Sequence, residues 1–391
     1  LENKGGVTVM MFDPIYIHDK NIVTPLGATR YSAAEPFVIN WLSHWPELLM
    51  GKNSIFMNDV GRDTLIHASK FDLEETRYLE TFADDSTLLE QLLFNTAKPV
   101  VDAHVPTART ALVLATTKGN VSFLKEARAA DAQLPVLAKK MAKVLGFQTE
   151  PIIISQACVS GLLALSVAKR LIQMGQYDDA VVLAGDVISE FVLSGFEAFH
   201  AVSRLPCKPF DSDRDGLSLG EAAACVYVSK EKGEFKILGE AAINDAHHIS
   251  GPSRTGEGLV QSVLRARKEA NIDIKDIDFI SAHGTATLYN DEMEAIAFNR
   301  LGLQDVPLHS LKGYFGHTLG AAGLLETVVG LMCLQFGTLI PTKGFETLGV
   351  SQPLNIIQQL DYAKMTRFLK TASGFGGSNA AMIIEKTTAT P

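Results

Sequence analysis

Residues 152–174 pass from a β-branched run, through a small-residue turn holding one cysteine, into an apolar helical pattern. Ile152, Ile153 and Ile154 predict a short buried strand. Leu162, Leu165, Val167, Ala168 and Leu171 continue at helical spacing to Met174, where Gly175 stops the helix. Cys158 thus stands where a strand hands over to a helix N-terminus. Unpaired backbone N–H groups and the positive end of the dipole at that point favour a thiolate over a thiol. Ser160 and Gly161 are small enough to let a substrate approach. Strand, cysteine and helix in this order resemble a nucleophile elbow. A buried structural cysteine has the same local pattern, so partners elsewhere in the chain must decide.

The same style of unit recurs downstream. Strand patterns at 277–282 and 308–311 lead to a glycine-rich turn with His317 and a long apolar helix from Ala321 to Phe336. Residues 155–174 and 311–336 correspond in kind, though their letters do not repeat. Further strands are expected at 12–23, 110–116, 180–184, 224–228 and 381–384, and helices at 74–93, 137–145 and 260–270. Pro46 predicts a helix break just after Trp41 and Trp45. Alternating strands and helices argue an α/β protein with covered sheets. The economical picture is a duplicated unit, residues 10–250 carrying the cysteine and 251–391 carrying two histidine motifs, with chemistry at the junction.

Composition narrows the partners. Net charge is −9 and no Lys/Arg cluster interleaves with aromatics, so nucleic acid is not an expected partner. The four cysteines, Cys158, Cys207, Cys225 and Cys333, show neither CxxC nor Cys/His ligand spacing. Neither a disulfide framework nor a metal site is expected, and reduced thiols fit the cytoplasm. No apolar run is read as long enough to span a bilayer, and no signal-peptide pattern opens the sequence. Leu1–Val9 is read as a remnant or frayed end, with the native start expected at Met10 or Met11. Asp211–Gly216 alternates acidic residues but misses the terminal glutamate of a calcium loop, and is read as a salt-bridged turn.

Three more stretches pair chemistry-bearing residues with strand ends: Ser281-Ala282-His283-Gly284-Thr285-Ala286-Thr287, Lys312 through Gly323 with His317, and Ser373-Gly374-Phe375-Gly376-Gly377-Ser378-Asn379. A cysteine with two such histidines fits acyl transfer at a thiol. Together with Val23–Gly27, Ala157–Gly161 and Asp211–Gly216, these motifs closely resemble the β-ketoacyl-(acyl carrier protein) synthases, the elongating condensing enzymes of fatty-acid and polyketide assembly. The resemblance implies a thiolase-like fold, two pseudo-duplicated halves in an α-β-α-β-α layering. It implies Cys158 as nucleophile, His283 and His317 as donors to an enolate oxygen, and Lys312 beside them with Glu326 as its ion-pair partner. Oxyanion N–H groups would come from Cys158 and Phe375, with Phe375 also the gate to an acyl pocket.

Thr285, Thr287 and Gly376 are expected to bind substrate; the threonines would meet a phosphopantetheine arm, or serve only as turn formers. Asp186, Asp211 and Asp215 are expected to brace loops. The resemblance further implies an acyl carrier protein as partner, no cofactor of the enzyme's own, and a homodimer, with a heterodimer as the other arrangement. Three departures from the pattern stand out: short regions before Cys158 and between Phe196 and Lys208, Thr116-Thr117-Lys118-Gly119-Asn120, and Thr371-Ala372-Ser373. They point away from ordinary long-chain elongation toward a dedicated polyketide or polyene pathway, with Lys118 either capping the pocket or facing solvent. Two other readings stand beside this one. A non-catalytic chain-length-setting partner would typically lack the nucleophile. A nicotinamide-dependent dehydrogenase would need a dinucleotide fingerprint, and Gly374–Gly377 lies too near the C-terminus to open one.

Overall fold

The computed structural model describes residues 13–28, 41–60, 64–77, 79–245 and 251–387, without the side chains of Trp41 and Leu73. The expected start at Met10 or Met11, Phe12 of the first strand and the division at residue 250 lie outside the described residues. Ten strands make the central sheet. The first five are β1 (Ile15–Val23), β2 (Thr110–Ala115), β3 (Ile152–Ile154), β4 (Asp179–Asp186) and β5 (Ala222–Ser229). The next five are β6 (Phe235–Asn244), β7 (Phe279–Ser281), β8 (Leu308–His309), β9 (Arg367–Gly374) and β10 (Ser378–Lys386).

They hydrogen-bond in the order β8-β7-β9-β10-β6-β1-β5-β4-β2-β3. Outward from the junction, one half runs β1, β5, β4, β2, β3 and the other β6, β10, β9, β7, β8. The parallel and antiparallel pairings also match: β4 with β2 and β2 with β3 are parallel, as are β9 with β7 and β7 with β8. The same topology therefore occurs twice. A short antiparallel ladder, Ile15 to Ile237 through Ile17 to Phe235, joins the halves. β6 pairs along its length with β10, so it stands in the second half although it precedes residue 250.

Helices follow the duplication. In the first half these are α1 (Leu88–Ala103), α2 (Leu134–Val144) and α3 (Ser160–Gln173), then α4 (Glu190–Ala198), which belongs to the site. In the second they are α5 (Glu257–Ala270), α6 (Leu288–Arg300) and α7 (Ala322–Phe336). Outward residues of the first sheet half pack with α1 and α2 around Leu92, Leu93 and Met141. Those of the second pack with α5 and α6 around Leu259, Val263 and Phe298. Between the halves, α3 and α7 share one apolar core with both. The two central helices touch through glycine. A Cβ on Gly161 would stand 2.8 Å from the Gly320 carbonyl oxygen, and one on Gly323 would stand 2.8 Å from the Leu162 nitrogen.

Several expectations need correction. β3 forms, but at the edge of the sheet, so its isoleucines are half-buried rather than buried. Gly161 is small for the sake of helix packing, not substrate access. The stretch 74–93 is not one helix: Leu73–Thr76 and α1 are separate, each started by its own capping box, on Asp72 and on Thr87 with Glu90. The helix Trp41–Leu49 runs through Pro46, because the ring removes only its own amide's bond one turn into the helix. Trp45 in that helix meets Phe336 of α7 with ring centroids 4.8 Å apart. Leu319–Phe336 is 18 residues long and apolar enough to cross a membrane by length and composition, contrary to the sequence reading. It is 89% buried inside the protein, as the core helix between two sheets must be.

Gly161→Ala should lower stability by about 1–3 kcal/mol through overpacking at the helix contact. Gly195→Ala, exposed on α4 with open space at its Cβ position, should be neutral or stabilising by up to about 1 kcal/mol. Denaturant unfolding of the two variants checks the contrast.

Candidate active site

The duplicated topology puts Cys158 and His317 in equivalent places. Cys158 follows β3 and precedes α3; His317 follows β8 and precedes α7. Because α3 and α7 touch at their N-terminal ends, the two side chains meet, with His317 Nε2 3.0 Å from Cys158 Sγ. His283, at the end of β7, stands beside them with its ring centroid 5.3 Å from that of His317. All three are buried. Ala157, before the cysteine, and Leu319, two residues after His317, hold left-handed backbone at φ 43° and 54°. Such conformations persist in non-glycine residues only where the surroundings impose them.

A backbone N–H and a lysine set the imidazole tautomers. Leu319 N–H donates to His317 Nδ1 at 3.2 Å, so in the neutral ring the proton sits on Nε2, facing the sulfur. The Lys312 ammonium donates to His283 Nδ1 at 3.4 Å, which likewise leaves the proton on Nε2. Burial first, and then Lys312, push both rings well below the usual histidine range, so they are neutral. The Cys158 thiol moves the other way. Burial pushes it up to about 12, Asp186 adds to the rise, and Lys312 only partly opposes it. The helix N-terminus therefore does not deliver the resting thiolate expected from the sequence. Cys158, His283 and His317 are also the one Cys/His cluster of metal-ligating type among the described residues, with ligand atoms within 4.8 Å of one another. Two N–H groups turned inward are donors, which is the wrong polarity for a cation.

Behind the histidines lies a buried ionic cluster. Glu326 on α7 accepts from Lys312 Nζ on Oε1 and from Lys370 Nζ on Oε2, both at 2.6 Å. Burial alone would raise the Glu326 carboxyl, but the two ammonium groups hold it below the usual range. From α6, Glu294 accepts the N–H groups of His283 and Gly284 at 2.8 and 2.6 Å. Asp291, one turn earlier, accepts Thr285 N–H at 2.9 Å. Sequence reasoning missed Lys370, Glu294 and Asp291. The signals were a lysine inside an apolar strand and two acids at i, i+3 on the helix that follows the His283 motif.

A cavity of about 500 Å³ opens onto Cys158, His283 and His317. Thr285 and Thr287 line it and share a hydroxyl–hydroxyl hydrogen bond of 2.8 Å. Phe375 also lines it, leaning on Phe199 and Phe196 at centroid distances of 5.2 and 5.6 Å. The preceding Gly374 brings the β9–β10 hairpin so close that a Cβ there would stand 3.1 Å from the Cys158 nitrogen. Gly376 is exposed and does not line the cavity. Lys118 is exposed, 6.0 Å from the Phe191 ring, and does not cap the pocket. Asp186, Asp211 and Asp215 accept loop hydrogen bonds: Asp186 from Thr116, Thr117 and Gly320, Asp211 from Asp213, Glu346 and Thr347, and Asp215 from Ser203 and Arg204. Arg214 donates to the Asp211 and Gly349 carbonyls, and the ion pairs of that turn are Lys208 with Asp213 at 3.7 Å and Arg214 with Asp291 at 4.0 Å.

Residues 110–233 match the family model for the β-ketoacyl synthase N-terminal domain, and 235–346 that for its C-terminal domain. The boundary between them falls between β5 and β6. The chain is 32% identical over 258 residues to a putative mitochondrial 3-oxoacyl-[acyl-carrier-protein] synthase of Schizosaccharomyces pombe, covering 59% of this chain and 60% of that one. It is 30% identical over 268 residues to the actinorhodin polyketide putative beta-ketoacyl synthase 1 of Streptomyces coelicolor, covering 64% of this chain and 57% of that one. The matches thus span about 60% of the length of these curated relatives. In fold it is similar to a chain of the solved complex of the ketosynthase ApeO with its chain length factor ApeC from Xenorhabdus doucetiae, with a TM-score of 0.84 and 24% identity over 98% of this chain and 100% of that one. The chain belongs to the β-ketoacyl synthase family, and its α/β architecture is the thiolase-like fold of ketosynthases.

A thiol held near 12 has a thiolate fraction that keeps rising with pH until the medium reaches that value. Iodoacetamide labelling of Cys158 should therefore climb about tenfold per pH unit from pH 7 to 10 with no plateau near 8.5. It should still precede labelling of Cys207, Cys225 and Cys333, none of which lines the cavity. Peptide mapping across pH reads both.

Proposed function

We propose that the protein is a β-ketoacyl-(acyl carrier protein) synthase, an acyltransferase that condenses an enzyme-bound acyl thioester with malonyl-carrier by decarboxylative Claisen chemistry. The observation that carries this reading is the pair of neutral imidazoles presenting Nε2–H groups beside one sulfur, 3.0 Å away in the case of His317. Cys158 Sγ attacks the acyl thioester carbon, and the bond to the carrier sulfur breaks. The Cys158 proton passes to the departing carrier thiolate, so the exchange needs no net base, while the His317 N–H stabilises the charge on sulfur as it develops. Malonyl-carrier then binds. Its carboxyl–carbon bond breaks, carbon dioxide leaves, and the electron pair forms an enolate. Nε2–H of His283 and of His317 donate to that enolate oxygen.

The enolate carbon attacks the Cys158 thioester, and collapse of the tetrahedral intermediate releases the β-ketoacyl product and expels Cys158 as a thiolate, which takes one proton from solvent to return to the resting thiol. Backbone N–H groups of Cys158 and Phe375 are proposed for the intermediate's oxyanion, which fits the close approach of the hairpin at Gly374. Lys312 and Glu326 orient His283; Phe375 gates the cavity; Thr285 and Thr287 meet the phosphopantetheine arm of the carrier. Gly376 gives the gate its backbone freedom, at φ 84°. Substrates arrive on a carrier protein, and no cofactor of the enzyme's own is invoked. The pathway is fatty-acid or polyketide/polyene assembly. The half carrying Cys158 and the half carrying the two histidines are proposed to divide the work, meeting between β5 and β6.

The unpaired edge of β3 is an attractive dimer seam, either with a second copy or with a related subunit. Four free cysteines fit a reducing compartment such as the cytoplasm. The reading as a non-catalytic chain-length-setting partner is disfavoured by the close set of Cys158, His283 and His317.

Incubation with a panel of acyl-carrier thioesters should add one acyl mass to the protein and none to Cys158→Ala, read by intact mass; no adduct with any donor would sink the synthase reading. His283→Ala and His317→Ala should each lower malonyl decarboxylation about 10²–10³-fold while impairing self-acylation less. Equal loss in both steps would remove the enolate assignment.

A further inference from the structure

Lys370 has no task in that mechanism. It lies in the middle of β9, fully buried, in register with Ser281 of β7. Alternation along the strand turns it, with Phe368 and Ala372, toward the central helical layer. An ammonium group has three N–H bonds. Those of Lys370 reach Glu326 Oε2 at 2.6 Å, Ser281 O at 3.1 Å and Ala282 O at 3.2 Å. Those of Lys312 reach Glu326 Oε1 at 2.6 Å, His283 O at 2.6 Å and His283 Nδ1 at 3.4 Å. The carbonyls of Ser281, Ala282 and His283, consecutive along the chain, are thus all held by lysines. Two ammonium groups share one carboxylate.

We infer that Lys370 is a positioning residue of the reacting centre: it braces the backbone that carries His283 and, by sharing Glu326 with Lys312, leaves the set Lys312, Glu326 and Lys370 with one excess positive charge beside the two imidazoles. The inference rests on the proposed reading of Cys158, His283 and His317. Other titratable groups around the cluster are Glu294 of α6, Asp186 of β4, His309 of β8 and Cys158 itself. Burial raises both carboxyls and, with Lys370, holds His309 at about 4; each carboxyl takes its hydrogen bonds from N–H and hydroxyl groups rather than from either lysine. A positive charge there opposes imidazole protonation, and Lys370 acts on both rings in that direction, behind burial and Lys312. It would also favour negative charge arriving on a substrate oxygen.

The test varies the charge in steps. Lys370→Met removes the excess; Lys370→Met with Glu326→Gln restores it, leaving Lys312 alone. Ring-¹⁵N-histidine titrations from pH 4 to 9, with His283 and His317 assigned by His→Asn variants, read the effect without turnover. Lys370→Met should raise both midpoints by about one pH unit, and move the acid limb of malonyl decarboxylation up equally. The double variant should return the midpoints to within about 0.3 of the natural protein. Unmoved midpoints in folded Lys370→Met, or a double variant that stays with the single one, overturn the inference. If the single variant does not fold, the double variant against the natural protein decides, with raised midpoints counting against it. Decarboxylation with unmoved midpoints refutes this inference alone; shifted midpoints in a protein that never decarboxylates refute the synthase reading alone.

Discussion

Two glycines, Gly161 and Gly323, set the separation of everything in the central layer. A methyl on Gly161 would strike the Leu324 nitrogen of α7 at 2.9 Å and one on Gly323 the Leu162 nitrogen of α3 at 2.8 Å, so α3 and α7 approach more closely than side chains would allow. Since the two halves repeat one topology, these helices are equivalent elements, and the turns that precede them face one another. One turn holds Cys158 and the other His317. The 3.0 Å between sulfur and Nε2 is therefore a consequence of core packing. Gly320 extends the same logic, since its N–H reaches Asp186 at 2.7 Å and ties the His317 turn to the end of β4.

Much of this was legible from letters alone, because strand–turn–helix units advertise themselves by a change of period. Cys158, His283 and His317 each follow a short apolar run, and the small-residue turns mark where backbone must bend. What could not be read is whatever depends on three elements meeting. Lys370 looks like a strand residue until β7, β9 and α7 converge on it. Glu294 and Asp291 look like helix surface until the His283 loop lies against them. Periodicity also cannot tell an edge from a centre: Ile152, Ile153 and Ile154 have the letters of a buried strand and the position of a border. The exact matching of the two strand orders was invisible for a related reason, since pairing partners are not encoded in any local window.

The cysteine shows why magnitude must decide between competing effects. A helix N-terminus stabilises an anion by about 0.3–1 kcal/mol. Burial raises the Cys158 thiol from 9.0 to about 12, a shift equivalent to about 4 kcal/mol. Desolvation wins. A local motif predicts the sign of the dipole's contribution correctly and the state of the thiol wrongly, because depth in the fold is a property of the whole chain.

The tautomers complete that argument. A site that stored a thiolate would place a charged imidazolium beside it; here burial and Lys312 keep both rings neutral, and Leu319 N–H and Lys312 Nζ force each ring's proton inward. The thiol and the two imidazoles are thus poor at holding charge of their own and well supplied with donors for charge that a substrate would bring. In the proposed reaction charge separation waits for the thioester, when the leaving sulfur would take the cysteine proton and the oxygen that turns anionic would face two N–H groups. The low polarity that suppresses the free thiolate is the same property that strengthens those hydrogen bonds.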